Sequence, residues 1–229
     1  MRSTLFPILA LLLAVPLSAQ AFEETFPFPN GNKIPGWTVQ SGTWSINNGR
    51  ITSPSSWAYI TCDRFKIKDC VLDVDCFMVG SGLQFAGATS RHPGGSSSTN
   101  LVMGKIQNNS SGPRWDRVYV YERGGSGSVW KDVPGNSRAA RVRLITLGAE
   151  AWMEVDANLD GVFELKTSIK KLTKVLGVGL VGLNGYRGAE MDNFKFYDAV
   201  LIEKPGSPAP TPGAKYQMHF HPVPFQPII

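Results

Sequence analysis

The chain has 229 residues, 24 of them Gly and 16 Pro, with a charged fraction of 18% and a formal net charge of +5. That composition speaks for strands and turns over helices. The basic residues are scattered, with mild clusters at Arg138-Arg141-Arg143 and Lys166-Lys170-Lys171-Lys174; a nucleic-acid reader would carry a denser stripe within a recognisable fold motif, so nucleic acid is set aside as a partner, while a modestly basic surface suits acidic polysaccharides or a negatively charged cell envelope.

The first residues read as a secretory signal. Met1-Arg2 is a positive n-region, Leu5 to Leu17 an apolar run broken by Pro7 and Pro16, and Ser18-Ala19-Gln20-Ala21 a small-x-small cleavage site. The run is too short and broken for a membrane span. Cleavage after Ala21 predicts a secreted or periplasmic protein. Residues 22–203 are enough for one well-buried domain and too few for two sizeable ones. From Lys204 a Pro-rich linker runs to residue 214, and residues 215–229 form a tail read as disordered, in which His219 and His221 alternate as two candidate metal ligands.

Within the domain the pattern is β-like throughout. Phe22–Phe28 suits an opening edge strand. Gly36-Trp37 through Ile51 reads as strand, turn, strand and an Asn48-Gly49 hairpin turn, with Trp44 and Ile46 aimed at the core. Strand-like runs follow at Ala58–Thr61, Cys70–Val79, Gly82–Ala88, Asn100–Gln107, Arg117–Arg123, Arg141–Leu147, Ala151–Asp156 and Val162–Thr167, while Ser168–Val175 suits at most one helical turn. Near the end, Val178, Leu180 and Val181, a Gly-Tyr-Arg-Gly loop at 185–188, and then Met191, Phe194 and Phe196 read as two strands joined by a turn, with Asp192-Asn193 at the entry to the second. Many short strands with Gly, Pro and Asn punctuation predict an all-β sandwich or barrel.

Cys62, Cys70 and Cys76 lie close together in an exported chain, which favours one disulfide. Along one strand Cys70 and Cys76 would stand ~20 Å apart, beyond disulfide reach. A bridge therefore needs Cys62, with Cys70 the preferred partner. No His lies nearby to complete a zinc site.

The opening "G-W … G-x-W-x-I-x-x-G-x-I" and the closing "G-x-x-G-L … D-N-F-x-x-Y" resemble the first and last strands of concanavalin A-like, LamG-type jelly-roll domains. The resemblance implies an antiparallel two-sheet β-sandwich whose first and last strands lie side by side. It also implies a glycan-handling function: a noncatalytic carbohydrate-binding or adhesive module, or a glycoside-processing hydrolase of the same superfamily. A structural envelope or matrix protein is the third reading. Glu154 and Asp156 match the first two places of the "E-x-D-x-x-E" motif of laminarinase-like members, but Asn158 or Leu159 stands where the last Glu belongs and Asp160 falls past the bend, so the acid is missing. The same resemblance suggests a structural calcium between Glu23 or Glu24 and Asp192.

Two further sites come from the residues themselves. Asp156, Asn158, Asp160 and Gly161 match the first half of a calcium loop, with Thr167 where its bidentate Glu would stand; a backbone-capping turn explains the same residues. In Arg117–Arg123, alternation sets Arg117, Tyr119, Tyr121 and Arg123 on one face and Val118 and Val120 on the other. A face of Tyr and Arg suits sugar rings. Trp115, Trp130 and Arg187 complete the candidate ligand-binding set, and a polysaccharide or glycan is the expected partner. His92, in a Gly/Ser loop, is the single His on which a nucleophilic triad could rest. Asn108 and Asn109 both stand in N-x-Ser sequons.

Overall fold

The computed structural model describes residues 22–96, 99–110, 112–125 and 127–198. The expected signal peptide, linker and tail lie outside the described residues. Two antiparallel sheets face each other. The larger contains β1 (Phe22–Glu24), β3 (Ser45–Asn47), β4 (Arg50–Thr52), β6 (Cys70–Phe77), β11 (Ala139–Leu147), β12 (Glu150–Asp156), β13 (Leu165–Lys166), β14 (Lys170–Lys171) and β16 (Glu190–Asp198). The smaller runs, in spatial order, β10 (Ser128–Asp132), β9 (Arg117–Arg123), β8 (Leu101–Gln107), β7 (Phe85–His92), β15 (Gly179–Tyr186), β5 (Ala58–Ile67) and β2 (Trp37–Val39). β1 pairs with β16, Phe22 opposite Phe196, so the first and last described strands do lie side by side.

Burial between the sheets sets the phase of every strand. Leu72, Val74, Cys76, Val142, Leu144, Met153 and Val155 from the larger sheet meet Ile60, Ala86, Ala88, Val102, Ile106, Val118, Val120, Val181 and Leu183 from the smaller. Each Val, Leu, Ile or Met among them contributes about 1.5–3 kcal/mol by leaving water. A one-residue slip would turn this set outward, so the register is strongly specified. Trp44 and Ile46 are buried as expected, and Asn48-Gly49 turns with φ of 51° and 76°, the positive pair a two-residue hairpin requires.

The Asp192-Asn193 pair is not an entry to the last strand. It is a bulge inside it, with Asn193 at φ 50° and the register to β6 shifting there. The extra residue lets Met191 and Phe194, three apart, both face the core. The preceding turn, Arg187-Gly188, carries the chain from one sheet to the other, and its strand buries Val181 and Leu183, while Val178 precedes it and is exposed. Lys170-Lys171 pairs with β12, and Ser128–Asp132 forms an edge strand that its weak alternation conceals.

The expected Cys62–Cys70 disulfide is corrected: all three cysteines are buried and none forms a disulfide among the described residues. β5 runs on to Ile67 before the chain crosses to the other sheet, which carries Cys62 roughly 17 Å along the strand from the turn. Cys70 Sγ instead lies 3.3 Å from Thr146 Oγ1, and burial pushes the Cys62 thiol up to about 11. A thiol-specific disulfide reagent should therefore label no cysteine in the native protein and all three in guanidinium. Labelling of fewer than three in denaturant without reductant would contradict the assignment.

Candidate functional site

With its apolar side chains turned inward, the smaller sheet presents the alternate residues outward. Register builds this face row by row. Tyr59 stands opposite Asn184, Asn184 opposite Gly87, Lys105 opposite Tyr119, and Tyr119 opposite Trp130. The neighbouring row places Met103 opposite Tyr121, and Gln107 stands opposite Arg117. Glycine is required at 87 because a Cβ would lie 2.2 Å from the Gly104 carbonyl oxygen. Over it the Asn184 amide donates to the carbonyls of Ala88 (2.8 Å) and Gly104 (3.0 Å), replacing ladder bonds between β7 and β8.

Lys105 is the centre of this face. Its ammonium lies 4.4 Å from the Phe85 ring centroid and 5.0–5.1 Å from those of Trp57, Tyr119 and Tyr121. Tyr119 and Tyr121 stack at 5.5 Å, Phe85 stacks on Tyr186 at 5.2 Å, and Trp57 meets Phe85 edge-on. Arg123 stacks over Trp57 (4.7 Å) and Arg117 over Trp130 (4.1 Å). Trp57 is 36% and Trp130 50% exposed, Arg187 is exposed on the adjoining turn over the Tyr186 ring, and Tyr119 is nearly covered. Burial, with repulsion from Arg123, pushes Lys105 down to about 8.

A polar relay joins this cage to the end of the sandwich. Lys105 Nζ donates to Gln107 Oε1 and Gln107 Nε2 to Asn109 Oδ1, while Asn109 Nδ2 and Arg117 donate to the Tyr119 hydroxyl at 3.1 and 3.3 Å. Asn109 and Arg117 also line an open cleft of about 520 Å³, together with Arg114, Asp116, Asp132 and Pro134. Thus Arg117, Tyr119, Tyr121, Arg123, Trp130 and Arg187 gather around one face, as alternation predicts for the residues of β9. Trp115 does not. It is fully buried in the core and donates its indole N–H to the Cys76 carbonyl, so it offers a ligand nothing. Sequence reasoning missed Lys105, Trp57, Phe85, Tyr59 and Tyr186, which only long-range pairing brings here. His92 also joins this face beside Tyr59 (5.7 Å), its Nδ1 accepting the Gly94 N–H.

The remaining candidates lie on the other sheet. Its outer face carries charges in alternating order along register partners: Glu23, Lys195, Asp73, Arg143, Glu154 and Lys166. Arg143 holds Asp73 in two hydrogen bonds of 2.7 Å, and Glu154 lies 3.9 Å from both Arg143 and Lys166. Glu154 and Asp156 therefore sit on the sheet opposite the aromatic face. Glu24 is opposite the core residue Phe194 and accepts the Phe26 N–H, whereas Asp192 is opposite Asp75 on the outer side. The sheet separates these two, whereas Glu23, the other expected partner, stands on the outer side with Asp192 and pairs with Lys195 at 3.1 Å.

Asp156, Asp160 and Glu164 each place a carboxylate oxygen within 4.8 Å of the others. Asp156 is buried and accepts N–H bonds from Asn158, Asp160 and Gly161, and Leu159 takes φ 62°. Thr167, the twelfth position, instead takes the Met153 N–H on its hydroxyl. Glu164, the ninth position of the loop, is the donor the sequence reading overlooked. The set is hard oxygen, which suits Ca²⁺. Of the two sequons, Asn108 is buried with its amide nitrogen donating to Gly82 and Gly112 carbonyls, while Asn109 is exposed.

Neither a protein-family model nor a curated protein matches the chain. Solved structures do. The carbohydrate-binding module CBM66 from Bacillus subtilis superposes with a TM-score of 0.54 at 16% identity, over 72% of this chain and 98% of that one. The chain has the concanavalin A-like jelly-roll fold. The VIP36 exoplasmic/lumenal domain in its Ca²⁺/Man3GlcNAc-bound form (TM-score 0.52, 12% identity, 80% and 90% coverage) and a prokaryotic β-1,3-1,4-glucanase from a mouse hindgut metagenome (0.53, 12%, 78% and 98%) share this jelly roll. Among the described residues no helix is long and apolar enough to cross a membrane.

The Lys105 cage has a measurable consequence for this jelly roll. Between about pH 8 and the ordinary lysine value of 10.5 the unfolded chain holds a proton that folded Lys105 has lost. Its contribution to stability therefore rises with pH across that window, by on the order of 1–3 kcal/mol. The other titratable and charged groups around it, Arg123, Tyr119, Tyr121 and Tyr59, are common to wild type and Lys105→Met. Denaturant unfolding should show wild type gaining on the variant from pH 8 to 10, and parallel curves would refute the cage.

Proposed function

We propose that the protein is a secreted, noncatalytic carbohydrate-binding module that takes its glycan on the outer face of the seven-stranded sheet. The observation that supports this reading is the joining of exposed Trp57 and Trp130 with stacked Tyr121 and the guanidinium groups of Arg117 and Arg123 on one face. Sugar rings stack their C–H faces on such rings, and guanidinium groups donate to hydroxyls. A glycan array should give binding that falls about tenfold or more in Trp57→Ala and Trp130→Ala. Trp152→Ala, on the opposite sheet, should leave it unchanged. An array without hits, or equal loss in Trp152→Ala, would overturn the reading, and new reducing ends abolished by Glu154→Gln would replace it with a hydrolase.

The Asp156–Glu164 turn supports a structural calcium in the same module. Asp156 Oδ2, Asp160 Oδ1 and Glu164 Oε2 each accept one backbone N–H, which leaves each a second lone pair for a cation, and one carboxylate oxygen from each residue lies within 4.8 Å of the others. Asp156, Asn158, Asp160 and Glu164 would hold the ion, which would pin the β12–β13 connection. Millimolar Ca²⁺ should raise the melting temperature by about 5 °C in wild type and not in Asp160→Ala. Equal shifts in both proteins would remove the site.

A further inference from the structure

The two outer faces of this molecule treat charge differently. On the nine-stranded sheet, Asp73, Asp75 and Glu154 are matched by Arg143, Arg141 and Lys166. On the seven-stranded sheet, Lys105 is 4% exposed, and no ion pair among the described residues includes it. Its neighbours are four aromatic rings and the Gln107 amide. Ring faces offset part of a buried ammonium's desolvation, and a carboxylate would offset more. Lys105 and Arg123 also share the Trp57 ring, at 5.1 and 4.7 Å from its centroid, so two cations approach one exposed indole. Arg187 adds a further cation on the adjoining turn, over the Tyr186 ring, while Arg117 is paired with Asp132 at 3.1 Å.

We propose that the glycan bound on this face is anionic, with a carboxylate or sulfate group seated beside Trp57 between Lys105 and Arg123. The inference rests on the outer face of the seven-stranded sheet being a glycan surface. An anion there offsets the repulsion between the two cations and gives Lys105 an ion-pair partner that none of the described residues provides. A neutral sugar of the same shape would leave Lys105 as it is, so discrimination comes from the charge and not from stacking.

The test compares matched polymers that differ only in charge: polygalacturonate and alginate against their carboxyl-reduced forms, and dextran sulfate against dextran. The full secreted chain is titrated at physiological ionic strength. At least one anionic polymer should bind about tenfold or more tighter than its neutral match. Lys105→Met should close that gap, and Arg123→Gln, a change at the edge of the face, should narrow it. Lys33→Met, an exposed lysine elsewhere with the same loss of net charge, should keep it. The carboxylate and sulfate arms identify which anion is read. Equal binding of charged and neutral partners would overturn the inference and leave the glycan surface standing. Equal losses in Lys33→Met and Lys105→Met would reduce it to bulk attraction by a basic protein and overturn it too. Failure of every polymer, charged and neutral, would overturn it, and array hits that survive would show that the surface itself is sound.

Discussion

Val118 and Val120 lie between the two sheets with no exposed surface, and that burial decides which way every other side chain of β9 must point. Strand side chains alternate strictly, so placing two valines in the core forces Tyr119, Tyr121, Arg117 and Arg123 to the opposite side. The same logic runs across β8 and β15, where Val102 and Ile106, or Val181 and Leu183, turn inward and leave Met103 and Lys105, or Asn184 and Tyr186, facing out. The aromatic–basic face is thus a by-product of the core. Trp57, just before β5, and Arg187, on the turn after β15, join it from the ends of strands.

The molecule carries two outer faces of opposite design. On one, alternating charges run across six strands and satisfy one another, with Arg143 and Arg141 each gripping an aspartate through two hydrogen bonds. Such a face keeps its carboxylates partnered within the sheet. On the other, cations stand on aromatic rings, and Tyr119 is held by Asn109 and Arg117 through its hydroxyl. A platform whose rings are already stacked and bonded has little entropy left to lose when a ligand lands. Glu122 does the corresponding work at the sheet's edge. Burial raises its carboxyl, but N–H donors from Val175, Lys174 and Thr173 outweigh that and hold it low, tying the 173–175 strap to β9.

How far the chain could be read in advance follows from the range of each signal. Arg117–Arg123 was legible residue for residue, because alternation is local, and so were the Asn48-Gly49 turn and the buried Trp44. Lys105 was not, since a lysine in an apolar strand becomes a cage residue only when β9 and β7 flank it. Trp115 misled for the converse reason: an indole next to Asp116 and Arg117 reads alike whether it points in or out. The disulfide expectation failed on strand length, as β5 extends through Asp63-Arg64, whose polar side chains masked its continuation. The Asp192 pair failed on a bulge, which no period-2 count can register.

The central claim is that ligands meet the seven-stranded sheet on its outer face. Indole N–H signals of the ¹⁵N-labelled protein, followed during titration with a bound glycan, report on it residue by residue. Trp57 and Trp130 should move together while Trp152, across the sandwich, stays in place. Movement at Trp152 with Trp57 and Trp130 unmoved would put the ligand on the wrong sheet and contradict the account.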